Sequence, residues 1–149
     1  MTQLSTGGRA DLGSPRRARA LAVAGAVAAA LAVWAIGEPL LGHDLVVQQK
    51  GQEPQDLGAA AIGVFALAPS LLGWATLAAL ERITPLAARI WTTAALILLA
   101  LSFLPIIGVQ ASGGSKAVLA LTHVAVGAVL IPVFWRTATS RRAGTGSER

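Results

Sequence analysis

The chain has 149 residues, of which 54% are hydrophobic and only 13% are charged, which is too apolar for an ordinary soluble domain. It contains no cysteine, which excludes disulfides and thiolate metal sites. The net charge of +5 does not indicate a nucleic-acid partner, because the basic residues flank apolar runs, where membrane topology signals belong.

Four apolar runs, each about long enough for one membrane crossing, predict an all-α fold, an antiparallel four-helix transmembrane bundle. The membrane domain is expected to occupy residues 20–136, and the predicted spans are residues 20–41, 57–80, 86–108 and 117–135. The basic and Gly/Ser-rich tails, residues 1–19 and 137–149, are expected to be disordered in the cytoplasm. The first run is longer than the core of a typical signal peptide, which favours a retained span.

In the first span, Pro39 biases Glu38 away from helical geometry, so the helix is expected to end at Gly37 or to continue to Leu41. Asp56 is expected to cap the second span. In that span, Pro69 removes an amide near mid-membrane, which predicts a kink.

Thr84 followed by Pro85 is a start signal for the third helix, which Ser102 and Pro105 interrupt. Ser115 is the expected cap of the fourth helix. The four tryptophans are interpreted as packing or interface residues, with two of them expected at the inner interface, namely Trp91 and Trp135.

The distribution of basic residues predicts the orientation. Ten of the twelve Lys and Arg residues lie in the two tails and around the second connection, and only Lys50 and Lys116 lie in the other two connections. By the positive-inside rule, both termini are expected in the cytoplasm.

The polar side chains within the spans are concentrated towards the expected outer side. At a helix rise of about 1.5 Å per residue, Trp34, Ser102 and His123 lie at a similar depth, roughly 10 Å below the outer boundary. Glu38 and Thr122 lie close to that level. These five residues form the predicted polar cavity, which is expected to open outward.

His123 is the leading site residue, because an ionisable group inside a span is costly unless it faces the bundle interior, water or a partner. The structural alternative is a neutral imidazole that donates to Ser102 or to a free carbonyl near Pro105. Glu38 is interpreted as a solvated interfacial acid or, alternatively, as the partner of His123 at an outward-facing proton or cation site. A haem held by His43 and His123 is a third hypothesis.

The GHDL loop, the ERITP turn and the last span, THVAVGAVLIPVFWRTA, resemble a family of small four-span bacterial membrane proteins of unknown function. The resemblance covers roughly residues 20–138, and its most specific positions are Glu81-Arg82 and His123. It implies a prokaryotic plasma-membrane setting and no particular activity.

No catalytic, phosphate-binding or metal-spaced motif is present, so no enzyme activity, cofactor or metal is expected. The leading function is a scaffold or accessory subunit that binds helices or lipid. Its expected partners are the lipid bilayer and a second copy or another membrane protein. The alternative is a small proton-linked transporter or ligand-binding protein with an outward-facing cavity at His123, Ser102 and Glu38.

Overall fold

The computed structural model describes residues 14–43, 45–48 and 51–146, and these residues form an all-α four-helix bundle. The third of the four helical segments is divided into α3 and α4. The helices are α1 (Pro15–Ala35), α2 (Ala59–Ile83), α3 (Ala87–Leu101), α4 (Phe103–Gly108) and α5 (Gly113–Gly146). Two short strands, β1 (Val46–Val47) and β2 (Gln55–Asp56), pair antiparallel in the connection between α1 and α2.

The four helical segments confirm the predicted all-α four-helix bundle. They are long and apolar enough to cross a membrane, which indicates a multi-pass membrane protein. These segments run over Pro15–Leu40, Ala59–Ile83, Ala87–Gly108 and Gly113–Ser140.

The first and last helices extend beyond the predicted spans. Helix α1 begins at Pro15 rather than at residue 20, because proline is preorganised for the first helical position and Ser14 accepts the first helical bond from Ala18. Helix α5 continues through residues expected to form a disordered tail and ends at Gly146. The rest of the two predicted tails, residues 1–13 and 147–149, lies outside the described residues.

Helix α1 does not stop at Gly37. It continues as one π-helical turn, Ile36–Leu40, in which Leu41 donates to the carbonyl of Ile36, five residues back. Pro39 has no amide to donate to Ala35, and the wider turn accommodates that loss without ending the helix. Glu38 therefore lies on a helical turn.

Two predicted helix caps differ in the structure. Asp56 lies in β2 and does not cap α2, whose first flanking residue is Gly58. The cap of α5 is Ser112 rather than Ser115, since the Ser112 hydroxyl accepts a hydrogen bond from the Ser115 amide at 3.0 Å. Helix α2 continues through Pro69 as one helical element, and a kink at Pro69 stays a prediction.

The third segment breaks at Ser102, where α3 ends and α4 begins. Pro105 explains the break, because it lacks the amide that would donate to Leu101 and its ring clashes with that carbonyl. At the start of the segment, the Thr84 hydroxyl accepts a hydrogen bond from the Leu86 amide at 3.1 Å, so Thr84 stabilises the turn that precedes α3.

At one end of the bundle, called here the hairpin end, the connections carry β1, β2 and Gln110. The backbones of Gln48 and Gln110 exchange two hydrogen bonds of 3.0 Å, which join the α1–α2 connection to the α4–α5 connection. Leu45, in the same connection, is fully buried, and its carbonyl accepts a hydrogen bond from the Leu57 amide. The two connections therefore form one cap.

Helix α1 lies at the centre of the packing, against both α5 and α2, and α3 packs mainly against α5. The third segment is the least covered of the four, since 11% of its apolar window is buried, against 22% for the second and 28% for the first and last. One side of the space between α2 and α3 is consequently left open.

Candidate functional site

A cavity of about 570 Å³ lies between α2, α3 and α5. Three of the five side chains in the predicted polar site lie on its wall: Ser102 on the α3–α4 junction, and Thr122 and His123 on α5. The other two, Glu38 and Trp34, do not line it.

The cavity opens on the side of the bundle, between α2 and α3. Three large apolar side chains line its mouth and are mostly exposed: Phe65 is 63% exposed, Leu72 68% and Leu98 66%. The buried side chain of Leu130, on α5, lies at the back of the cavity. In a bilayer, an opening rimmed in this way faces lipid chains rather than water.

Trp91 forms the wall of the cavity where α2 and α3 approach each other. Its indole Nε1 donates a 2.8 Å hydrogen bond to the carbonyl of Gly73, and its ring centroid lies 5.1 Å from that of Phe134. Only 7% of Trp91 is exposed, so it packs within the bundle, which is one of the two roles expected for the tryptophans. Trp135 is the more exposed of the two tryptophans assigned to the interface.

The hydroxyl groups on the cavity wall already bond to their own helices. Ser70 donates to Ala66, Ser102 to Leu99 and Thr122 to Val118, at donor–acceptor distances between 2.6 and 2.9 Å. Such bonds to carbonyls three or four residues back satisfy the hydroxyl proton within the helix. These three side chains therefore present no free hydrogen-bond donor to the cavity.

His123 makes its hydrogen bond within α5, where Nδ1 lies 2.7 Å from the carbonyl oxygen of Leu119. Its ring also contacts Phe103, with the centroids 6.2 Å apart. The hydrogen-bond partner of His123 is thus neither Ser102 nor a carbonyl near Pro105, the two partners expected from the sequence. The imidazole is half-buried on the cavity wall.

Glu38 and Trp34 form a separate cluster near the hairpin end. The Trp34 indole donates to the Glu38 carboxylate at 3.0 Å, and the Leu45 amide lies 3.4 Å from the same oxygen. Glu38 is half-buried, and its hydrogen bonds go to these two groups rather than to His123. The two residues of the proposed acid–histidine pair thus have different partners.

The second histidine, His43, packs closely against Gly114, where any larger residue would collide with the imidazole ring. His43 lies at the hairpin end, whereas His123 lies on the cavity wall. The two histidines of the haem hypothesis therefore contact different residues. Among the described residues, no group of three or more His, Cys, Asp or Glu side chains is placed to hold a metal ion.

A buried ion pair at the other end of the bundle was not predicted. Arg19 is only 2% exposed, and its guanidinium bonds both oxygens of Glu81, at 2.5 and 3.1 Å, and the Thr137 hydroxyl at 2.9 Å. We call these three residues the clamp and this end of the bundle the clamp end. The clamp joins α1, α2 and α5, so Arg19 does not serve only as a membrane-proximal charge.

Comparison with curated proteins and with solved structures found no match. A family model does match, over residues 10–140, which is most of the chain and includes the clamp, the cavity and the hairpin end. It confirms the resemblance to an uncharacterised family noted from the sequence. The chain belongs to DUF6069, a family of unknown function.

Proposed function

We propose that this chain is a non-enzymatic, multi-pass membrane protein that binds the apolar chain of a lipid in the cavity between α2, α3 and α5. The observation that carries the proposal is the combination of an apolar wall with an apolar mouth on the side of the bundle. A ligand entering by this route comes from the hydrocarbon phase of the membrane.

The size of the cavity favours a lipid chain over a whole helix as the occupant. A helix of 20 residues, about 30 Å long and about 10 Å wide, fills on the order of 2,000 Å³. The cavity of about 570 Å³ is far smaller and lies within the range of roughly 300–1,000 Å³ typical of small-ligand sites. A partner helix would contact the rim but leave the back of the cavity, at Leu130, empty.

The proposed setting is a prokaryotic plasma membrane with both ends of the chain in the cytoplasm. Arg82, Arg89 and Arg136 support this orientation, because they lie near the clamp end, where the positive-inside rule places the cytoplasm. The hairpin end then faces outward. A partner role, with lipid bound between this protein and another membrane protein or a second copy, is compatible with the poorly covered third segment.

Lipid binding is preferred here to the alternative of a proton-linked transporter. That alternative needs Glu38 and His123 at one outward-facing site, whereas the Glu38 carboxylate bonds Trp34 and Leu45. The Gln48–Gln110 bridge also covers the hairpin end, where an outward path would emerge. Entry of a lipid chain through the lateral mouth requires neither a proton site nor an opening at the outer end of the bundle.

Bromine quenching of tryptophan fluorescence tests the proposal, with Trp91 as the reporter. A variant with Trp34, Trp74 and Trp135 replaced by Phe keeps Trp91 alone, and it is reconstituted in phospholipids with brominated acyl chains. We expect strong quenching, because a chain in the cavity contacts the Trp91 ring.

Two substitutions on α3 make the test specific. Ala95→Phe adds a ring inside the cavity and should restore most of the fluorescence, whereas Ala100→Phe adds the same ring at an exposed position that does not line the cavity. Equal quenching in both variants would mean that bromine reaches Trp91 only from the surrounding lipid, and the proposal would be wrong.

A further inference from the structure

The hydrogen bond of His123 determines which of its ring nitrogens can serve a ligand. A carbonyl oxygen can only accept a hydrogen bond, so Nδ1, at 2.7 Å from the oxygen of Leu119, carries the proton. In the neutral imidazole the other nitrogen, Nε2, is then an acceptor with a free lone pair. No described residue donates a hydrogen bond to it.

Nε2 differs from the other polar side-chain atoms named on the cavity wall because it makes no hydrogen bond of its own within the described residues. The hydroxyl protons of Ser70, Ser102 and Thr122 are satisfied within their own helices, and nearly all other lining side chains are apolar. A ligand that presents a hydrogen-bond donor to His123 gains an interaction that a purely apolar chain lacks. In a hydrocarbon setting there is little water to compete for that nitrogen.

The depth of His123 restricts the kind of donor. Its Cα lies ten residues into α5, about 15 Å along the helix from Gly113. The phosphate and amine groups of a phospholipid remain at the membrane interface, and their ester groups only accept hydrogen bonds. A charged group at this depth would also be costly to desolvate.

From these observations we infer that the cavity selects a neutral lipid that carries a hydroxyl group on an apolar chain, with the hydroxyl donating to Nε2 of His123 and the chain extending along the cavity towards Trp91. This inference rests on the proposed function and names the ligand class of the same site. A long-chain alcohol is the simplest member of the class.

The test compares two probes that differ only in the donor: hexadecan-1-ol and its methyl ether. Each is added to the Trp91-only variant in brominated lipid, where a probe that displaces a brominated chain restores fluorescence. One cross-helix hydrogen bond in a membrane corresponds to about fivefold in affinity, so the alcohol should reach half-recovery at about one fifth of the ether's mole fraction.

His123→Phe keeps a ring beside Phe103 but removes the acceptor, and it should make the two probes equally effective. His123→Gln supplies a carbonyl acceptor and should recover part of the preference for the alcohol. Equal action of the two probes in the presence of His123, or a preference that persists in His123→Phe, would overturn the inference while leaving chain binding intact. Absence of quenching by brominated lipid before any probe is added would overturn the proposed function itself.

Discussion

The guanidinium of Arg19 and the carboxylate of Glu81 form a two-pronged ion pair between residues 62 positions apart, and Arg19 is almost completely buried. Planar, two-pronged pairing matches the donors of arginine to both carboxylate oxygens. The Thr137 hydroxyl takes a third donor, so the first turns of α1, the end of α2 and α5 are held together. This clamp closes the end of the bundle opposite the hairpin.

Removal of one clamp residue should destabilise the bundle strongly. Arg19→Met leaves the Glu81 carboxylate without its arginine in a mostly buried position, and loss of one member of such a pair costs about 3–5 kcal/mol. The measurement is the free energy of unfolding in mild detergent. Arg17→Met is the matched control, because Arg17 is exposed on the same helix, and it should change that free energy by less than about 0.5 kcal/mol.

The double variant Arg19→Met/Glu81→Met separates two quantities: the net contribution of the ion pair to the free energy of unfolding, and the cost of removing only one of its members. Replacement of both charges by apolar groups also removes the buried carboxylate that has lost its arginine, so the double variant should be more stable than Arg19→Met alone. Equal effects of Arg17→Met and Arg19→Met would show that the clamp does not stabilise the fold.

Gly37 and Gly127 should respond differently to the same added methyl group. At Gly37 a Cβ would collide with Val118, which is buried and stiff because it is branched at Cβ. At Gly127 the nearest atom is Cδ2 of Leu99, at 2.9 Å, the flexible end of a side chain beside the cavity. Gly37→Ala should therefore cost about 1–3 kcal/mol, and Gly127→Ala clearly less.

Thermal unfolding of the two alanine variants in the same detergent checks this order. A larger loss of stability in Gly127→Ala than in Gly37→Ala would contradict it. The contact between α3 and α5 at Gly127 would then be tighter than the contact between the π-helical turn and α5 at Gly37.

The bridge between the connections at the hairpin end depends on backbone amides. Gln110→Pro removes the amide that donates to Gln48, and the preceding residue, Val109, already has the extended conformation that proline requires. Hydrogen exchange at the Gln48 amide should become at least tenfold faster, because the remaining bond loses its partner. Gln110→Ala keeps the amide and should leave exchange nearly unchanged, and equal exchange in the two variants would argue against the bridge.

The proposed orientation can be tested with single cysteines, because the chain has none of its own. Glu53→Cys lies in the exposed connection of the hairpin end, and Ser140→Cys lies at an exposed position on α5 beyond the clamp. On intact cells, a membrane-impermeant maleimide should label the first variant and should label the second only after permeabilisation. The reverse pattern would place the clamp end outside.

The four spans could be predicted from the sequence because hydropathy is a local property of each run. The sequence does not predict the clamp, because basic residues beside an apolar run are typical topology signals and no local pattern relates Arg19 to Glu81. A usable signal was present, since Arg19 extends the stripe of buried small residues at Ala22, Ala26 and Ala30 along one face of α1.

Three of the five residues of the predicted polar cavity line one cavity in the structure, because residue depth can be counted from the ends of the spans. The direction in which each side chain faces cannot be counted in this way. Depth alone grouped Glu38 with His123, although the spacing of Trp34 and Glu38 indicated an i, i+4 pair on one helix face. The cavity is lined by three helices, so it depends on their packing and has no counterpart in any single apolar run.

Photo-crosslinking tests the central claim, lipid in the cavity, most directly. The protein is reconstituted with a lipid that carries a diazirine in its chain, irradiated, and mapped by mass spectrometry. Our account predicts adducts at Leu130 and Ala95, which line the cavity, and their loss in Ala95→Phe. Adducts confined to exposed residues outside the cavity, such as Leu21 and Ile97, would contradict it.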